Sequence, residues 1–216
     1  MDWPFGNLLP GDHPVIIADP PWAFSVRSQK GMGRSAERHY QTMPLGAIKA
    51  LPVADLAAKD CVLLMWVTDP FLRKGFEVIE AWGFKYKTVG FYWTKTNRDG
   101  SPFMGGGYWT RANPEQCLLA TRGNPKRVSK GVQRWIIAPR REHSRKPDEV
   151  YRRVERLCDG PYTELFARQS WPGWRCWGNQ TDRFEVQAEM PGISDADLAR
   201  MLAANAARTE KEDIAA

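Results

Sequence analysis

Four apolar residues, Val15 to Ala18, run directly into Asp19, Pro20, Pro21 and Trp22. Proline nitrogens carry no hydrogen and hold φ at about −65°. Two in succession make a short rigid segment that presents carbonyl oxygens as acceptors. The Asp19 carboxylate is another acceptor, and Trp22 offers an indole face. That set suits a planar base bearing an exocyclic amine, with one amino hydrogen on the carboxylate, one on the Pro20 carbonyl, and the ring against an aromatic. An aromatic amine is a poor nucleophile because its lone pair is delocalised into the ring. Accepting both hydrogens favours a pyramidal nitrogen, localises the pair, and readies it for in-line attack on a methyl sulfonium carbon. Such chemistry needs no covalent enzyme intermediate; it draws on positioning and electrostatics. Asp and Pro are also common turn formers, so the tetrad reads as well as a turn closing a strand, with Trp22 as core.

The surrounding elements have to bring this segment to a ligand. "PVIIAD" reads as a buried strand, as do "CVLLMWV" (61–67), "FKYKTVGFYWTK" (84–95), "EQCLLAT" (115–121), "RWIIAP" (134–139), "TELFA" (163–167) and "WRCWG" (174–178). Residues 44–60 read as broken helix, and 69–83 as a helix with Pro70 near its start and Gly83 at its end. The clearest helix is 146–160: Pro147 suits its first turn, Asp148 and Glu149 complement its dipole, and Val150, Val154 and Leu157 make one apolar stripe. Residues 25–40 and 97–114 read as loops, the second Gly-rich. Strands alternating with helices predict an α/β fold with a largely parallel sheet, whose ligands sit beyond the strand carboxyl ends. "VIIAD" and "TELFAR" both turn polar there. No GxGxxG follows a strand, so a dinucleotide-binding reading has no support.

The Asp-Pro-Pro-aromatic tetrad resembles the catalytic motif of S-adenosylmethionine-dependent amino methyltransferases, in which Asp as first residue is usual for adenine. More narrowly, the chain is similar to the family named for the seventy-kilodalton catalytic subunit of eukaryotic mRNA adenosine methyltransferase, which has bacterial and phage members. The likeness runs from about Val15 to Gln180 through "ADPPW", "YQTM", "LLMWVT", "WTKTN", "EQCLLATRGNP", "HSRKPDEVY", "ELFAR" and "WGNQ" in order. It implies a Rossmann-like methyltransferase fold, a mostly parallel central sheet flanked by helices, with the catalytic motif preceding the cofactor segments. It implies that Asp19, Pro20, Pro21 and Trp22 are catalytic, and that Asp19 and Lys146 reach the amino-acid end of S-adenosylmethionine. Arg168, Asn179 and Gln180 would hold the cofactor ribose and its surroundings. Tyr40 would line the target-base pocket, with Trp93 and Glu115 near it. The family's cofactor-adenine segment has no clear counterpart here; "FGNLL" (5–9) is the available substitute. After Arg168 the chain reads "QSWPGW", where RNA-modifying relatives carry other polar residues.

Charge points to a partner of opposite sign. Residues 1–184 hold 28 bases and 18 acids, against 3 bases and 7 acids in the Ala-rich tail 185–216. We therefore expect a catalytic domain over 1–184 and a partly helical tail. Nine bases and one acid lie between Arg122 and Lys146. With Arg27, Lys30, Arg34 and Arg38 they are candidate phosphate contacts, with salt-dependent affinity; solvated loop charge is the plainer alternative. Nucleic acid is the expected partner. An adenine within a duplex is out of reach, so the base must be flipped or single-stranded. DNA is favoured over RNA because no zinc finger or RNP pattern is present, and a homodimer or a heteromeric partner is in keeping with relatives. A non-catalytic subunit is the contrasting class; such subunits usually lose the tetrad that this chain keeps. The four cysteines form no CxxC pair, and with three histidines a metal site is not expected. No apolar run is long enough for a membrane span and the N-terminus has no secretory pattern, so the expected location is cytoplasmic.

Overall fold

β1 (His13–Ala18) is a nearly continuous apolar run because it is covered on both faces. The computed structural model describes residues 3–23, 42–107, 109–142, 145–179 and 181. Among these, six further strands follow: β2 (Ala57–Val67), β3 (Lys85–Thr96), β4 (Glu115–Arg122), β5 (Trp135–Pro139), β6 (Tyr162–Leu165) and β7 (Trp174–Trp177). They join β1 in one sheet of order β5-β3-β4-β2-β1-β6-β7. Only β4 runs against the rest, pairing antiparallel with both β2 and β3. The mostly parallel α/β sheet expected from the sequence is therefore present. Glu115, the first residue of β4, lies at the same edge as the carboxyl ends of its neighbours, because Trp93 pairs with Glu115 and Val67 with Gln116.

Side chains alternate between two cores, as strand geometry requires. Ile16, Ala18, Leu63, Met65 and Leu118 face α1 (Leu45–Lys49), α2 (Val53–Leu56) and α3 (Leu72–Ala81). Val15, Ile17, Leu64, Trp66, Phe91, Trp93 and Cys117 face α4 (Glu149–Leu157), which contributes Val150, Tyr151 and Val154.

Several boundaries differ from expectation. The strand expected at 61–67 begins at Ala57, which pairs with His13 at the start of β1 across an irregularity in the register. The broken helix over 44–60 is correspondingly reduced to α1 and α2. The helix expected from 146 begins at Glu149; Asp148 makes no side-chain cap there, because Arg141 and Arg145 hold its carboxylate at 2.6 and 3.7 Å. All four cysteines are free. Among the described residues, no helix is long and apolar enough to cross a membrane, and no group of three or more His, Cys, Asp or Glu is placed to hold a metal.

Candidate active site at the carboxyl edge of the sheet

Asp19 continues the alternation of Val15 and Ile17, so it emerges at the strand end on the α4 face. The chain then crosses the sheet edge. The Trp22 amide donates to the Pro20 carbonyl at 2.8 Å, closing a γ-turn centred on Pro21, whose ring already holds the required φ. The Met43 amide donates to the Pro21 carbonyl at 2.9 Å, which ties the segment to the start of α1. Trp22 ends in the opposite core. It is 6 % exposed, lies parallel to Phe71 with ring centroids 5.6 Å apart, and donates its indole N–H to the Trp66 carbonyl at 3.4 Å. Of the two readings of Trp22, open indole face or core, the geometry shows core: the ring anchors the tetrad in the opposite core, while Asp19 stays partly exposed at the sheet edge. Pro20 has one lone pair engaged by Trp22; a carbonyl has a second.

Lys146 comes from the segment before α4, and its Nζ lies 2.7 Å from Asp19 Oδ2 and 3.2 Å from Glu115 Oε2. Lys95, at the end of β3, approaches the other Glu115 oxygen at 2.5 Å. The result is a line of alternating charge, Lys95–Glu115–Lys146–Asp19, laid across the ends of β3, β4, β2 and β1. It rests on indole rings: Lys95 stands 5.1 Å from the centroid of Trp93, and Lys146 stands 5.4 Å from that of Trp66. Cations over indole faces are attracted by the ring quadrupole. Burial works against the Lys146 ammonium, but the carboxylates of Asp19 and Glu115 outweigh it and hold its pKa above the ordinary lysine range. Burial likewise opposes the Glu115 carboxylate, yet Lys146 and Lys95 hold its pKa below the usual range.

A third acid completes the site from β6. Glu164 pairs in register with Ile17 and so faces the same side as Asp19. Burial pushes its pKa up to about 8, aided by Asp19 and opposed by the Tyr151 hydrogen bond, Lys146 and Arg168. The Tyr151 hydroxyl donates to Glu164 at 2.8 Å, and Gln169 donates to that hydroxyl at 3.1 Å. Directly after β6, Phe166 adopts φ 63° and its ring meets Trp177 edge-on at 5.4 Å. A bulky residue in the left-handed region is rare and strained, and here it sits two residues before Arg168. The N-terminal "FGNLL" lies beside this corner: Phe5 is fully buried edge-on to Trp177, while Gly6 and Asn7 are exposed.

The structure thus gathers Asp19, Lys146 and Glu115, with Arg168 half-buried close enough to affect both Lys146 and Glu164. Asn179 is exposed just past β7. Tyr40 and Gln180 lie outside the described residues, as do the loop 25–40, with Arg27, Lys30, Arg34 and Arg38, and the tail 185–216. The two residues expected near the base pocket are both buried. Trp93 is fully buried and donates its N–H to the Ala138 carbonyl at 3.0 Å, so it is the floor under Lys95 and not a wall open to a ligand. Glu115, 6 % exposed, spends its carboxylate on two lysines.

Lys95, Glu164 and Tyr151 went unassigned in the sequence reading. Each carried a signal. Lys95 follows Trp93 at strand spacing, Glu164 interrupts an apolar strand, and Tyr151 stands beside Val150 on the helix stripe. The basic stretch 122–146 is also divided. Because β4 is antiparallel, Arg122 pairs with Cys61 at the far edge of the sheet, roughly 24 Å from Glu115 at strand rise. Lys126 borders a cleft there with Pro14, Val15 and Asp60. Only Arg140, Arg141, Arg145 and Lys146 return along β5 to the site edge.

The comparisons agree with this geometry. The family model MT-A70 matches residues 13–180. The Type II methyltransferase M.MunI of Mycoplasma sp is 30 % identical over 213 residues, 90 % of this chain and 89 % of that protein. The N(6)-adenosine-methyltransferase MT-A70-like protein of Arabidopsis thaliana is 35 % identical over 176 residues, 79 % of this chain and 24 % of that one. The human N(6)-adenosine-methyltransferase catalytic subunit METTL3 is 33 % identical over 178 residues, 80 % of this chain and 29 % of that one. The chain thus spans about a quarter of these adenosine methyltransferases and nearly all of M.MunI. With its tetrad at the end of β1 and its match from the first residue of that strand past the last strand, the chain belongs to the MT-A70 family.

Proposed function

We propose that the chain transfers a methyl group from S-adenosylmethionine to the 6-amino group of adenine in nucleic acid, with DNA as the polymer. The observation that carries this reading is the Asp19 carboxylate, held on a rigid γ-turn at the sheet edge and paired with Lys146 at 2.7 Å, in a chain of the MT-A70 family. The near end-to-end match to a Type II methyltransferase supports DNA over RNA. A bacterial relative also supports a cytoplasmic setting, and the assembly we expect is a homodimer or a pair with a related subunit.

The residues present fit the cofactor. Its methionine end is zwitterionic, and the edge offers the complementary pair: Asp19 for an ammonium, Lys146 with Arg168 for a carboxylate. Arg168, Asn179 and Gln180 are assigned to the ribose and its surroundings, and Tyr40 to the target base. S-adenosylmethionine, when bound, supplies a methyl group activated on a sulfonium. The chain's own contribution is positional. The Asp19 carboxylate and the Pro20 carbonyl accept the amino hydrogens, and Trp22 keeps the turn from yielding. As the amino nitrogen gains its methyl carbon it sheds a proton, for which Asp19 is the acceptor at hand. Burial raises the pKa of Glu164, which limits the negative charge it adds beside Asp19.

A methyl-transfer assay with labelled S-adenosylmethionine would compare single-stranded DNA, duplex DNA and RNA of matched sequence, followed by nucleoside mass spectrometry. N(6)-methyladenine in DNA is the expected product. The same product in RNA alone would reverse the choice of polymer, and cofactor binding without transfer to any of them would remove the proposal for the isolated chain.

A further inference from the structure

The loop 97–114 joins β3 to β4 at the site edge, and among its described residues it displays Trp109 and Met104. Asn113 clamps its base: its Oδ1 accepts from the Lys95 amide at 2.7 Å, and its Nδ2 donates to the Lys95 carbonyl at 2.9 Å and to the Phe103 carbonyl. Above this clamp two arms run together, with the Gly105 amide on the Ala112 carbonyl at 2.8 Å and the Ala112 amide on the Gly106 carbonyl at 3.2 Å. Glycine is required for the approach. A Cβ on Gly105 would stand 2.5 Å from the Ala112 oxygen, and one on Gly107 would collide with the Thr110 oxygen. At the tip Trp109 is 100 % exposed, and on the near arm Met104 is 73 % exposed.

The charges around this tip decide what it meets. Arg98, Arg111 and Arg140 are exposed, and Arg140 lies over the Phe103 ring at 4.7 Å. The loop's acid, Asp99, is spent on Ser101 in its own turn. Apolar surface of this kind marks an interaction site. A two-fold contact with a second copy would set the same three guanidinium groups against each other. A nucleic-acid strand has the opposite complementarity: phosphates for the arginines and a base face for the indole.

We propose that this loop is the platform for the strand that carries the target adenine, with Trp109 stacked on a neighbouring base and Arg98, Arg111 and Arg140 on phosphates. The proposal rests on the methyltransferase reading above and names how its substrate is held. Asn113 ties the loop to the backbone of Lys95, the outer member of the site's charge line.

The test uses a fluorescein-labelled single-stranded DNA oligonucleotide with one adenine, measured by anisotropy, alongside steady-state methyl transfer and calorimetry of S-adenosylmethionine binding. Trp109→Ala is expected to weaken oligonucleotide binding and raise KM about tenfold, with cofactor affinity unchanged. Trp109→Phe should restore most of the loss. Arg140→Gln should lower the salt slope of binding by about one ion. Unchanged oligonucleotide affinity and KM in Trp109→Ala would overturn the platform. So would a change in sedimentation state with substrate binding intact, which would make the tip a protein interface. If the wild-type protein binds neither this DNA nor the matched RNA, the nucleic-acid reading itself falls and the platform with it.

Discussion

Lys146 Nζ lies 2.7 Å from Asp19 Oδ2, although the two residues are 127 positions apart in the chain. Asp19 is therefore not a lone acceptor. It is the last member of a charge line whose other end is Lys95, and each member constrains the next. Removing the Asp19 carboxylate should lower methyl transfer by at least about a hundredfold. Circular dichroism of Asp19→Ala should match wild type, because Lys146 keeps Glu115 as its counter-ion. Turnover at the wild-type rate would remove Asp19 from the chemistry.

Glu115 holds two ammonium groups that are 19 % and 12 % exposed. Glu115→Gln should cost about 3–5 kcal/mol of stability by leaving Lys95 without its partner, and it should weaken cofactor binding by removing one of the two carboxylates that position Lys146. The double variant Lys95→Met/Glu115→Gln should regain part of the stability, since the unpaired charge is gone. Urea unfolding of wild type, Lys95→Met, Glu115→Gln and the double variant measures the coupling; strictly additive losses would show that the line is not a unit.

Glu164 gives a pH signature. Its folded pKa of about 8 lies above the unfolded value of 4.5, so between these the folded state holds the extra proton. Stability therefore falls as pH rises from about 4.5 to 8 and levels off above, by linkage. Burial sets this shift; Asp19 after β1 adds to it, and Tyr151 on α4 and the cations Lys146 and Arg168 oppose it. Glu164→Gln, neutral throughout, should flatten that stretch of the stability profile. An identical slope in thermal melts of wild type and variant would contradict it.

Trp22→Ala should behave as a core deletion. With its ring against Phe71 and its N–H on the Trp66 carbonyl, the expected loss is about 3–5 kcal/mol in denaturant unfolding. Full stability with lost turnover would instead return Trp22 to the direct role suggested by its place in the tetrad.

Lys126→Gln and Lys130→Gln test the division of the basic stretch. Both residues follow β4 at the edge opposite Asp19. Neither substitution should alter KM for an oligonucleotide substrate, whereas Arg140→Gln should raise it. A rise in KM for the lysine variants would mean that the strand wraps to the far edge.

Lys146 entered only through the family resemblance; the amino-acid sequence by itself determined the strands, the helix over α4 and the rigid tetrad. Those signals are local: apolar runs, an amphipathic stripe, and a proline pair whose backbone is fixed by its own rings. It could not decide which charges stand at which edge. Nine bases in one stretch look like a single patch until β4 is seen to run antiparallel, which sends Lys126 one way and Lys146 the other. Nor could it show that Trp22 and Trp93 are buried while Trp109 is bare; burial depends on what folds over each ring. Glu164 reads as a strand residue until register sets it beside Ile17, at Asp19's end of the strand. Strand direction, register and burial are relations between distant segments, and those relations exist only once the sheet has closed.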